Sequence, residues 1–335
     1  YIDALLSHKT SEDSIIQLKM KTGNVDFQVR EIDFEHFTYL KQNEEAGNYE
    51  IRLRANDYVG QINFSPIQRH KDPQLARLFG DPRFHHALSK AIHRQEIIDV
   101  VYAGVGEPAQ YSVPKGSPYY SEAHALASVE YDPEEARRLL EEIGLKDKAS
   151  DGTRLLWDGT PLIVNVDTPK GEFTDVVQLV CEYWQDIGIN ARMKERSPRS
   201  VTRMAGMGIA DIIVHKEGGN FFGPVLAGGY APTHPAEARQ WGKWVSYIRT
   251  GGRSGIQPPE RIIELERLWN KVITAPSEQA KFAAWQELSE RIASDLPMIG
   301  VMTSPGKVVY VSNRFKNVPQ LSLAGWIAHE PGNNC

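Results

Sequence analysis

Between Pro161 and Val214 the chain alternates the two periodicities available to a regular backbone, and this alternation constrains the fold more than any other feature. Pro161 to Val166 is a short apolar run suited to a buried strand. Thr174 to Ile187 then places Val176, Val177, Val180, Tyr183, Trp184 and Ile187 on one side of a helix, with Gly188 as its stop. Ile189 to Lys194 reads as a second strand, Pro198 to Met207 as another helix, and Ile209 to Val214 as a third apolar strand. Strands alternating with helices bury their apolar sides by forming a mixed sheet with helices laid against it, so the predicted class is α/β.

Two further helices open on the same pair of residues. Asp81 and Asp132 can each accept hydrogen bonds from the free amides of a first turn, and Pro82 and Pro133 lose nothing at a position whose donor is unpaired anyway. In the first helix Phe84, Leu88, Ala91 and Ile92 recur at i, i+4, i+7 and i+8, which makes one apolar stripe. His85 and His86 fall beside that stripe and are expected at the surface or half-buried. Neighbouring helix positions diverge by about 100° and cannot grip one ion together, whereas a helical metal pair needs i, i+4 spacing, so no metal site is expected there. Gln95 to Tyr102 follows as a short helix burying Ile97, Ile98 and Val101, with Gly104 suited to a left-handed cap. The second Asp-Pro helix gathers Ala136, Leu139, Leu140 and Ile143, and Gly144 lies past its end.

Upstream, the pattern predicts a helix from Glu12 to Thr22, an extended Val25 to Phe27, a helix around Phe34 to Asn43, a strand from Tyr49 to Arg54 and an extended Tyr58 to Phe64, then a polar, charged link. Downstream, Lys216 to Pro258 is rich in glycine, proline and aromatics without a period; so long a structureless stretch is either functional or misassigned. Amphipathic helices from Pro259 to Ile273 and Ser277 to Ser294 precede strands at Met298 to Thr303 and Lys307 to Val311.

Composition narrows the chemistry. The 335 residues carry 38 basic and 43 acidic side chains, a formal charge of -5, with no basic run, so a nucleic-acid partner is not expected. No apolar stretch approaches the roughly 20 residues that span a bilayer, and YIDALLSHKTSED does not have the pattern of an export leader. The two cysteines, Cys181 and Cys335, offer neither a disulfide framework nor a metal cluster, and Cys181 is expected to pack as a small apolar residue. There is no GxSxG elbow, no GxxxxGK[ST] phosphate loop and no GxGxxG turn, and GGRSG lacks the lysine a phosphate loop needs. Asp211 and Glu217 are the one carboxylate pair considered for glycoside hydrolysis.

Taken together, these segments resemble the large substrate-binding proteins of ABC importers, the extracellular solute-binding family 5, which handle peptides, nickel and oligosaccharides. The family's hallmark helix looks like Asp81, Arg83, Phe84, Ala87, Leu88, Ser89, Ala91, Ile92 and Arg94; His85 stands where arginine is usual and His93 where aspartate or asparagine is usual. Gly23 and Asp26, Asn63, YDPEEARRLLEEIG and ASDLPMIGV match other landmarks in order. Trp241, Trp244, Thr250, Gly251, Gly252, Pro258 and Pro259 resemble a branch that includes cellobiose-binding relatives, associated with oligosaccharides or with peptides, which leaves the ligand class open.

The resemblance implies a periplasmic-binding-protein-like mixed sheet flanked by helices, with part of a second lobe. Family members are longer, which predicts a C-terminal fragment: residues 1–55 and 301–335 in the first lobe, and 56–300 as a complete second lobe. It further implies a ligand held between lobes without catalysis, cofactor or metal, a membrane permease as partner, and a location outside the cytoplasmic membrane. Ligands in α/β lobes gather at the carboxyl ends of strands, which points to His215, Lys216, Glu217, Asn220 and Phe221. Tyr230, Trp241 and Trp244 would supply flat faces suited to a sugar or a peptide. The alternatives are a glycoside-acting enzyme and a sensor or chaperone-like binder on the same fold.

Overall fold

A computed structural model describes residues 6, 13–29, 32, 34–54, 61–171, 173–217, 229–232 and 238–318. The chain divides into two compact units, Tyr1–Tyr58 with Ser304–Cys335, and Val59–Thr303.

In the smaller unit, the strand nearest the end of the chain is the central one. Strands β1 (Phe27–Gln28) and β2 (Tyr49–Arg54) both pair antiparallel with the late strand Lys307–Ser312, in registers that set Phe27 opposite Val311 and Tyr49 opposite Ser312. Alternation along these strands sorts side chains between two faces. Tyr49, Ile51, Val308 and Tyr310 join Met20 and Leu40, contributed by helices Asp13–Lys21 and Phe37–Gln42, while Val309 and Val311 meet Val29 on the other side.

The larger unit holds a five-stranded sheet made of β3 (Gln61–Pro66), β4 (Ile163–Pro169), β5 (Asn190–Arg196), β6 (Ile212–Glu217) and β7 (Ile299–Gly300), in the order β5-β4-β6-β3-β7. The strand that closes the smaller unit, Lys307–Ser312, is β8. β5, β4 and β6 run parallel, and β3 is antiparallel to both β6 and β7. One face is covered by helices Pro82–Lys90, Arg94–Val101, Pro133–Glu142 and Thr174–Asp186, which enclose Phe64, Val164, Val166, Ile212 and Val214. Helix Pro198–Met207 covers the other, with Val201 and Ala205 against Ile67 and Ile213. A second helical core is built by Lys243–Arg249, Glu260–Ile273 and Glu278–Asp295 around Trp241, Trp269 and Trp285.

The Asp-Pro starts fold as the sequence implies: Asp81 accepts from the Arg83 amide at 3.0 Å and Asp132 from the Glu135 amide at 2.9 Å. The polar link after β3 is not a link. It contains helix Pro73–Phe79, capped by Asp72, which buries Leu75, Leu78 and Phe79. Lys216 to Pro258 likewise includes helix Lys243–Arg249.

The two histidines of the hallmark helix differ in environment. His85 is fully buried rather than near the surface, its Nδ1 2.8 Å from the Asp295 carbonyl oxygen and its Nε2 2.9 Å from that of Phe79. His86 is half-buried, between Ser128 Oγ and the Ser294 carbonyl, each at 2.9 Å. Cys181 is buried as expected, and burial pushes its thiol up to about 12.

Candidate functional site

The chain leaves β4 through helix Thr174–Asp186 to β5, then returns through helix Pro198–Met207 to β6 on the opposite side of β4. Winding therefore reverses between β4 and β6, the place where open α/β sheets leave a crevice at their carboxyl ends. The register agrees. Pairing between these strands consists of Val166 with Ile212 and Asp167 with Ile213, yet β4 runs on to Pro169 and β6 to Glu217. Beyond that point the two strands continue without pairing each other.

Polar side chains collect at this divergence. Asp167 is 1% exposed and forms an ion pair with Arg196 on β5. Burial pushes the Asp167 carboxyl above its ordinary range, while the Arg196 guanidinium pulls it back. Thr168, the next residue, is also buried. Across β6, His215 stands opposite Asn63 in register, and its Nε2 lies 2.8 Å from Ser65 Oγ. A serine beside a histidine invites comparison with an activated nucleophile. Here Ser65 is fully buried within the sheet, so the bond ties β3 to β6 and no substrate reaches the hydroxyl. Lys216 is exposed, on the opposite face of the strand from His215.

At the other end of β6, Asp211 Oδ2 accepts from the Asn165 amide at 2.7 Å and from Asn165 Nδ2 at 2.8 Å, and Oδ1 is 3.2 Å from His70 Nε2. Because His70 Nδ1 accepts from the Asp72 amide, the neutral ring carries its hydrogen on Nε2, facing the carboxylate. Asp211 and Glu217 are six residue steps apart along an extended chain, about 20 Å at the usual rise. A glycosidase pair stands roughly 5–9.5 Å apart, so these two carboxylates do not form one.

The other residues expected at the ligand are distributed unevenly. Glu217 is the last residue of β6, and Asn220 and Phe221 lie outside the described residues. Trp241 is fully buried, with its Nε1 donating to Gln68 Oε1 at 3.2 Å, and Tyr230 is fully buried against Tyr111, His124 and Trp285. Both rings are core, and neither offers a face to a solute. Burial raises the Tyr230 hydroxyl far above its ordinary range. Trp244 is half-buried at a separate cleft, away from β6's carboxyl end. His215 and Lys216 both lie near the carboxyl end of β6 but on opposite faces of it, and the three aromatic residues lie elsewhere. Asp167 and Thr168 at the divergence were not marked by sequence reasoning, although a carboxylate inside the apolar run IVNVDTP is a signal that could have marked the first.

The family model described as bacterial extracellular solute-binding proteins, family 5, middle region, matches residues 1–228. The chain belongs to that family. Among curated relatives, a glutathione-binding protein of Salmonella typhi is 28% identical over 192 residues, covering 57% of this chain and 32% of the relative. A di/tripeptide-binding protein of Pseudomonas aeruginosa is 24% identical with the same coverage. Among solved structures, an oligopeptide-binding protein, OppA, aligns with TM-score 0.73 and 28% identity over 94% of this chain and 53% of that one. NikA of Brucella suis, in complex with Fe(III)-EDTA, shares the fold at TM-score 0.70 and 16% identity, over 92% of this chain and 57% of that one. The match to the curated relatives spans about a third of their length, and that to the structures about half. Among the described residues no helix is long and apolar enough to cross a membrane.

Proposed function

We propose that this family 5 protein captures a short peptide outside the cytoplasmic membrane and delivers it to an ABC permease, holding its cargo without covalent chemistry. The observation that carries the reading is how the chain enters and leaves the larger unit. β3 and β7 are adjacent antiparallel strands, with Asn63 opposite Gly300 and Phe64 opposite Ile299, and the Val301 amide donates to the Ile62 carbonyl at 3.2 Å. Two neighbouring strands that carry the chain in and out are the connection a two-lobed clamp needs, because lobes pivot about a few crossing segments. On this reading residues 56–300 form one lobe, and 1–55 with 301–335 belong to the other.

A peptide is favoured over an oligosaccharide by charge. Lys216, exposed at the carboxyl end of β6, is an ammonium suited to a peptide carboxylate. The glutathione-binding and di/tripeptide-binding relatives support the same class.

The parent protein is titrated calorimetrically with glutathione, trialanine and cellotetraose, and its melting temperature is followed in each. Saturable peptide binding is expected, with stabilisation of about 2.7 kcal/mol at a hundredfold excess over Kd, and Lys216→Ala weakens it. Binding of cellotetraose alone overturns the peptide assignment. Hydrolysis of any of the three overturns the transport reading.

A further inference from the structure

Trp244, expected beside the transported solute, instead lines a cleft of ≈ 580 Å³ formed entirely within the larger unit by residues that include Gln68, Arg77, Asp81, Pro82 and Arg261. The cleft is shallow and largely open to solvent. Its place in the sheet separates it from the strand divergence. Gln68 follows the end of β3 that pairs with the start of β6, Pro66 opposite Ile212, and Ile67 donates its amide to the Asp211 carbonyl at 2.9 Å. Lys216 lies at the far end of the same ladder, opposite Ile62.

Gln68 is 2% exposed, and its orientation is fixed by its neighbours. Oε1 accepts from Trp241 Nε1 at 3.2 Å and from Arg261 Nη2 at 2.7 Å, so the oxygen and nitrogen of the amide cannot be exchanged. That leaves Nε2, a buried donor with no hydrogen-bond partner. A buried N–H left unpaired carries an uncompensated desolvation cost, which a ligand acceptor would recover. Arg261 is partly withdrawn from water, and burial lowers its guanidinium below its ordinary range. The rim carboxylate, Asp81, is already occupied: it accepts from the Arg83 amide and Nε at 3.0 Å and from Nη2 at 2.7 Å. Arg77 adds a second cation, stacked 3.8 Å over the Trp157 ring. The unused hydrogen-bonding capacity of the cleft is therefore on the donor side, beside an apolar wall of Trp244 and Pro82.

We infer that this cleft is a second ligand site, distinct from the one for the transported solute, and that it takes a small organic carboxylate with a flat apolar body. The carboxylate sits against Arg261 and Gln68, and the body packs on Trp244. A guanidinium suits a carboxylate because its planar fork matches the two oxygens.

The test uses 3-phenylpropionate as probe and 3-phenylpropanol as its uncharged control, each titrated into the full chain by ligand-observed NMR. Saturable binding of the acid is expected, with the alcohol bound at least about tenfold more weakly, the scale of a hydrogen bond to a charged group. Arg261→Gln and Trp244→Ala should each lower affinity for the acid by a similar factor, while Lys216→Ala leaves it unchanged. Should Arg261→Gln fail to fold, Trp244→Ala alone decides, since its half-buried ring can be removed with little effect on the core. No saturable binding, equal binding of acid and alcohol, or loss in Lys216→Ala but not in Trp244→Ala overturns the proposal. Trialanine affinity measured on the Trp244→Ala protein keeps this outcome separate from that of the peptide reading.

Discussion

His85 lies with one ring nitrogen 2.8 Å from the carbonyl oxygen of Asp295, and its other nitrogen faces the Phe79 carbonyl at 2.9 Å. It thereby joins the ends of two helices, Glu278–Asp295 and Pro73–Phe79, where carbonyls lack partners. Only an imidazolium can donate to both. Burial nevertheless pushes the ring down to about 4, outweighing the pull of the two carbonyls, so near neutral pH one nitrogen meets its carbonyl with a lone pair.

This arrangement predicts an acid-sensitive fold. His124 is likewise pushed down to about 4 by burial. Between pH 6.5 and 4 the unfolded chain binds protons at these positions that the folded one does not. Stability is therefore fully present above about pH 6.5 and falls as pH drops toward 4, by on the order of 3 kcal/mol for each ring. Urea midpoints measured across that range should decline, and His85→Gln should flatten about half of the slope. An unchanged slope in that variant would mean that His85 is protonated in the fold.

Arg94 is buried as a cation without a contacting carboxylate. Its three nitrogens donate to the carbonyls of Ser89, Val129 and Gly300 and to Ser89 Oγ at 2.7–3.1 Å, and burial lowers it to about 9. Because Gly300 belongs to β7, this side chain fastens the outgoing strand to the hallmark helix. Arg94→Met should cost about 3–5 kcal/mol by stranding those acceptors. Arg94→Lys, with one nitrogen for several oxygens, should recover only part of it. Chemical denaturation of both variants provides the comparison.

The two tryptophans should separate cleanly. Trp241 is fully buried in the second helical core, and Trp241→Ala is expected to cost about 3–5 kcal/mol. Trp244→Ala should cost roughly 1–2 kcal/mol, because its ring is only half-buried. Thermal melts that rank the two in the opposite order would contradict the packing described here.

His93 caps helix Arg94–Val101 by accepting from the Glu96 amide through Nδ1 at 3.1 Å. An aspartate can do the same and adds a negative charge at the helix start. His93→Asp should therefore hold or raise stability, whereas His93→Ala should lose about 1 kcal/mol. Denaturant midpoints of the pair decide the matter.

Much of this architecture can be read from local pattern. Asp81-Pro82 and Asp132-Pro133 begin helices because capping and proline geometry act within one turn, and the strand and helix alternation after Pro161 survives into the sheet. Asp72-Pro73 is the same signal, but its helix is under two turns long and shows too few apolar repeats to stand out. The burial of His85 and Trp241 was not legible, since it depends on elements more than 150 residues away: Asp295 for the histidine, Gln68 for the tryptophan. The position of His215 and Lys216 near a strand end was legible, because strand ends are visible in sequence. Asp167 was not, because only the pairing of β4 shows that its carboxylate lies where two strands part.

The adjacency of β3 and β7 has a consequence for assembly. Most of the chain lies between β2 and its partner β8, so their pairing would ordinarily carry the entropy of closing a very long loop. Once the Ile62 carbonyl and the Val301 amide have met, the intervening domain behaves as a short staple whose two ends, at Ile62 and Val301, are held together. Maturation of the smaller sheet should therefore follow that of the larger one, with a late kinetic phase reporting β8 finding its slot between β1 and β2.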